Sequence, residues 1–153
     1  MILDLRPAVP ADAGAIRDLV RAVYGKWVPL IGREPKPMRA DYAAAIAAHR
    51  FALLEEGGAL MALIEMAVEP EYLLIENIAV AEAAQGKGIG SALLHHAESV
   101  AGQLGLLELQ LYTNARMESN LALYARRGYA EYRRDPYANG ADVVHMRKRM
   151  VSE

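Results

Sequence analysis

Apolar and polar residues alternate over residues 2–6, and beyond Pro10-Ala11-Asp12 the period lengthens, with Ile16, Leu19, Val20 and Val23 recurring at helical spacing. A strand followed by a helix opens the chain. Residues 25–38 hold three prolines, two glycines, Trp27 and Arg33, fit no regular element, and lead into an alanine-rich helix at 39–48. Two apolar runs, 51–55 and 59–66, flank Gly57-Gly58 as a hairpin, and a third strand is predicted over 72–81, giving three antiparallel strands. Ile89, Leu93, Leu94, Ala97, Val100, Ala101 and Leu104 form a helical stripe that stops at Gly105, and residues 107–112 restart extended chain. A helix over 117–127 carries Leu121, Leu123 and Tyr124 and ends at Gly128. Residues 129–134 and 142–149 read as two closing strands joined through Pro136 and a tight Asn139-Gly140 hairpin. The order is β α α β β β α β α β β, a mixed α/β sandwich.

A chain of 153 residues is long enough for one self-sufficient core, so residues 1–153 are expected to form a single domain. The formal charge of −2, with no run of like charge, favours neither nucleic acid nor an anionic membrane as partner. The absence of cysteine excludes disulfides, thiolate metal sites and a cysteine nucleophile. Asp4 and Arg6 interrupt the N-terminus, no stretch approaches a membrane span, and a cytoplasmic location is expected.

Gln85-Gly86-Lys87-Gly88-Ile89-Gly90 lies between the third-run strand and the helix that opens near Ser91. Glycines that bring backbone N–H groups close, together with the positive end of a helix dipole, make an anion cradle suited to a phosphate or pyrophosphate. The P-loop pattern fails, because Lys87 is followed by Gly88 and the first glycine of that pattern is missing. The dinucleotide fingerprint also fails, since Gly90 comes one residue early. His95 and His96 point about 100° apart on the helix and do not share a ligand, so no metal is expected.

With that loop, and with Asn120-x-x-Leu123-Tyr124-x-x-x-Gly128-Tyr129 at the usual distance after it, the chain resembles the GNAT superfamily of N-acetyltransferases over nearly its whole length. The resemblance implies a GNAT-like mixed, mostly antiparallel sheet flanked by helices. It also implies acetyl coenzyme A as co-substrate, bound where the fourth and fifth strands splay. The pyrophosphate would rest on Gln85, Gly86, Gly88, Ile89, Gly90 and Ser91, with Lys87 adding charge from the rim. Main-chain groups of Ile78, Ala79 and Val80 would meet the pantetheine. Asn120 would contact the coenzyme, or else cap its turn; the family's frequent Asn position seven residues before the Tyr is Met117 here.

Without cysteine, direct attack by a primary amine is the simplest route. The resemblance gives Tyr124 the role of acid at the departing sulfur, against a merely packed aromatic. Glu76, which interrupts an apolar strand, is the candidate base, against a carboxylate paired at the sheet surface; Tyr112 and Tyr129 read as structural. Tyr24, Trp27, Arg33 and Tyr42 surround the irregular segment, which in this family forms the acceptor side. Arg33 there would bind a substrate carboxylate, or the segment is a packed lid. The acceptor class stays open between small molecules and peptide ends, the acyl group is not fixed as acetyl, and a homodimer is expected by analogy. A non-catalytic acyl-coenzyme A sensor on the same fold is the alternative.

Overall fold

The computed structural model describes residues 2–150. Its strands are β1 (Leu5–Pro7), β2 (Arg50–Glu56), β3 (Ala59–Val68), β4 (Leu73–Val80), β5 (Glu108–Asn114), β6 (Ala130–Asp135) and β7 (Val143–Arg149). They form one sheet in the order β1-β2-β3-β4-β5-β7-β6, antiparallel except where β4 lies beside β5. The helices are α1 (Ala13–Gly25), α2 (Val28–Ile31), α3 (Lys36–Arg39), α4 (Tyr42–Ala48), α5 (Ile89–Gln103) and α6 (Glu118–Arg126). Among the described residues no helix is long and apolar enough to cross a membrane.

Two cores sandwich the sheet. The α5 stripe, Leu93, Leu94, Ala97 and Ala101, is fully buried against Ile64, Leu73 and Leu109, and Tyr124 of α6 joins that core. On the opposite face Ile16 and Val20 of α1 pack with Leu53, Leu63 and Ala79. Truncating one such leucine to alanine costs about 2–5 kcal/mol, because rigid elements meet there and the cavity cannot collapse.

Three details differ from the sequence pattern. The first strand is Leu5–Pro7 and not 2–6. The proline-rich segment contains α2 and α3, each with proline in its first turn, where a missing N–H costs nothing. Asn139-Gly140 sits in a wider connection with a 3-10 turn at Ala138–Gly140, both residues having positive φ, held by Asn114 and Arg116 donating to the Ala141 and Asn139 carbonyls.

One irregularity creates the site. The β3–β4 register passes from Met66↔Ile75 to Glu65↔Asn77, so Glu76 is an extra residue with no opposite number. This bulge reverses the alternation of β4: Leu73, Ile75, Ile78 and Val80 serve the α5 core, whereas Asn77 and Ala79 turn toward α1. Parallel pairing of β4 with β5 stops at the same point, at Ile75↔Leu111, although the strands run on to Val80 and Asn114. A bulge bends and twists its strand, and here the two strands splay apart beyond it.

Candidate active site

The splayed strands open a cleft with two lobes that share Tyr24, Ile78, Met117, Asn120 and Tyr124. One lobe, of about 440 Å³, is walled by Gln85, Gly86, Gly88, Ile89, Gly90 and Ser91. The other, of about 340 Å³, lies over Glu76, Tyr112 and the α2–α3 segment.

The first lobe follows from local sequence. Gly86 and Gly88 take left-handed φ of 77° and 83°, which costs an L-residue about 1–2 kcal/mol, and Gly88 starts α5 without any side-chain cap. The first N–H groups of α5 are thus left to a ligand, and no acidic side chain in the first turn competes for them. Gly90 has ordinary helical geometry; it is small because a Cβ there would come 3.1 Å from Leu123 Cδ2 on α6. Gln85 Nε2 donates to the Val80 carbonyl at 2.9 Å and ties the loop to β4. Lys26 and Arg126 also line this lobe, while Lys87 is exposed at its rim. The residues present suit a phosphorylated ligand.

Where the lobes meet, buried Tyr124 lines both, and burial pushes its hydroxyl up to about 12, so it stays protonated at neutral pH. Tyr24 donates to the Ile78 carbonyl (2.9 Å) or to Asn77 Oδ1 (3.0 Å), and burial holds its phenol well above the usual range. Asn77 Nδ2 donates to the Tyr42 hydroxyl (3.1 Å), which donates to the Pro37 carbonyl (2.6 Å).

In the second lobe the Tyr112 hydroxyl donates to Glu76 Oε2 at 2.9 Å. Burial, with Glu76 beside it, raises the Tyr112 phenol far above its ordinary value, so it remains a donor. Lys36 Nζ stands 3.6 Å from the same oxygen and 5.6 Å from the Tyr112 ring centroid. Behind Glu76, buried Glu65 meets His49 Nδ1 at 2.6 Å; burial raises its carboxyl, against the pull of His49.

The structure thus brings Glu76, Tyr124, Tyr24, Asn120, Ile78 and Val80 to one cleft with the glycine loop. Ala79 presents its side chain to the α1 core, so only its main chain is available. Trp27 lines the glycine lobe, with Lys26 Nζ 5.2 Å from its ring centroid, and of Tyr24, Trp27, Arg33 and Tyr42 only Tyr24 and Arg33 line the second lobe. Met117 packs into the α1 core, and Asn114 braces the turn by donating to the Ala141 carbonyl (3.1 Å) and accepting from the Arg116 N–H (2.9 Å). Sequence reasoning missed Asn77, Lys36, Lys26 and Arg126, and read Tyr112 as structural. Asn77 did leave a signal, a second polar residue in an apolar strand; the others become neighbours only through the fold.

The model of the acetyltransferase (GNAT) family matches residues 16–129. No curated protein matches the sequence significantly. Among solved structures the chain is similar to the PaiA N-acetyltransferase from Thermoplasma acidophilum in complex with coenzyme A, at TM-score 0.80 and 19% identity, with 97% of this chain and 99% of that one covered. It is also similar to the ribosomal-protein-S18-alanine N-acetyltransferase from Escherichia coli (0.78, 20%, covering 97% and 94%). The IAA acetyltransferase from Bacillus cereus is a third (0.74, 23%, covering 95% and 98%). At these identities the shared property is the fold; the match over residues 16–129 goes further, and the chain belongs to the GNAT family of acetyltransferases.

Proposed function

We propose that this protein moves an acetyl group from acetyl coenzyme A to a primary amine by direct attack. What supports the reading most is the continuity of the two lobes through the β4–β5 gap, with Tyr124 in both and Glu76 on the far side from the glycine loop. The α5 N-terminus, Gly86 and Gly88 would hold the pyrophosphate, with Lys26, Lys87 and Arg126 adding positive charge. The main chain of 78–80 and Asn120 would line the pantetheine. Tyr24 and Gln85 already occupy the Ile78 and Val80 carbonyls, which leaves fewer acceptors for it on β4. The donor supplies an activated acetyl thioester.

An alkyl amine of pKa about 10.4 is neutral in about one molecule in 2,500 at pH 7, which is about 4.6 kcal/mol for the chain to offset. Glu76 removes that proton. Its carboxylate is oriented by the Tyr112 hydroxyl, and Lys36 shows that the place beside it accepts a cation. Tyr124, protonated at neutral pH, delivers a proton to the departing sulfur. Coenzyme A release from acetyl coenzyme A, measured over a panel of amines, tests this. Glu76→Gln is expected to lower kcat/KM by about 10²–10⁴-fold and Tyr124→Phe by about 10²-fold. Coenzyme A binding without turnover of any amine would identify a non-catalytic acyl-coenzyme A sensor.

A further inference from the structure

We infer that the acceptor is a small amine carrying its own carboxylate, an amino acid or close analogue, and that Arg33 receives that carboxylate. The inference rests on the acetyl-transfer reading and names its acceptor class. Three cations line the second lobe, Arg33, Lys36 and Arg39, against Glu76 as its only carboxylate among the described residues. Nearby acids are engaged elsewhere: Glu34 with Arg21 (3.5 Å) and Asp135 with His145 (2.9 Å) and Arg133 (3.1 Å).

Arg33 is set in place and incompletely satisfied. Its Cζ lies 3.3 Å from the Tyr137 ring centroid, and Nη2 makes a long bond to the Ala141 carbonyl (3.4 Å). Nη1 is buried without a partner among the described residues, a costly state for a charged donor. A carboxylate entering this lobe offers two oxygens to a planar fork already pinned by its stack. The opposite charge has its place too, because Lys36 Nζ rests against Glu76 and over the face of Tyr112, where an acceptor ammonium would replace it. Ile31, Pro35, Pro37, Leu111 and Val143 supply apolar wall, and 340 Å³ is near the lower end of small-molecule pockets. A zwitterion with a modest side chain fits these three demands together.

The test compares matched acceptors: glycine, β-alanine, 4-aminobutyrate, leucine and phenylalanine, each against its carboxamide, with rates expressed per neutral amine. At least one carboxylate is expected to exceed its amide in kcat/KM by tenfold or more, mainly through KM, with chain length reporting the spacing between Glu76 and Arg33. Arg33→Met is expected to abolish that preference and Arg33→Lys to restore part of it, while the melting shift induced by coenzyme A shows that both variants fold. Amides that react as well as their acids, or a preference that survives Arg33→Met, overturn the inference and leave acetyl transfer standing. If no amine turns over, the acetyl-transfer reading fails, and calorimetry of the same amino acids with the coenzyme A-loaded protein decides the rest. Binding lost in Arg33→Met upholds the carboxylate site, and absence of binding refutes it.

Discussion

Asn77 holds three elements together from one strand position. Its amide bonds the hydroxyls of Tyr24 on α1 and Tyr42 on α4, and Tyr42 in turn fixes the Pro37 carbonyl of α3. Leucine at this site keeps the volume but removes the amide's bonds, leaving each buried hydroxyl with its backbone carbonyl alone. Asn77→Leu is therefore expected to destabilise the protein by about 1–3 kcal/mol, seen as a lower thermal midpoint, and to raise KM for the acceptor more than for the coenzyme. An unchanged midpoint would mean that the network contributes nothing to stability. Glu76 and Asn77 are neighbours with separate places, one lining the second lobe and the other bracing the wall that surrounds it.

At the scale of elements, the glycine turn and α5 act as a unit whose shape is set locally. Gly88→Ala, forced into left-handed φ, is expected to cost about 1–2 kcal/mol and to weaken coenzyme A binding at least tenfold by calorimetry, with little effect on KM for the acceptor. Equal affinity would mean that the pyrophosphate lies elsewhere. This unit was legible because strand, turn and stripe are contiguous, and Leu93, Leu94, Ala97 and Ala101 mark one buried face. The bulge was not, since the adjacent polar pair Glu76-Asn77 in an apolar strand breaks the alternation without saying which residue is inserted. Nor were α2 and α3, each too short at four residues to show a period. The second lobe is the least legible part, because Arg33, Tyr137 and Ala141 meet only after both ends of the chain have packed.

For the whole molecule, the second half of the sheet is clamped to α5 by Glu98, which takes Lys148 of β7 at 2.8 Å and Arg127 after α6 at 2.9 Å. Burial raises the Glu98 carboxyl, but the bonds from Lys148 and Arg127 outweigh it and hold the group below its ordinary value of 4.5. A depressed folded-state pKa gives stability that is complete above about pH 4.5 and is lost as pH falls through the folded value. Glu98→Gln is thus expected to lose about 1–3 kcal/mol at pH 7 by urea denaturation, with the gap to the parent narrowing below pH 4.5. A gap independent of pH would assign the effect to packing.

Among the described residues, the β4–β5 ladder of Leu73, Leu74 and Ile75 with Leu109, Gln110 and Leu111 is the only strand pairing that joins a four-strand to a three-strand half-sheet. Such a sheet resembles a book bound along only part of its spine. If the proposed donor lies in the open part, it bridges β4 and β5 where their pairing has stopped, and its occupancy would stiffen the wall of the second lobe. On that reading amines would meet a well-shaped second lobe only after the first is filled, so ordered addition with the coenzyme first is expected in steady-state kinetics.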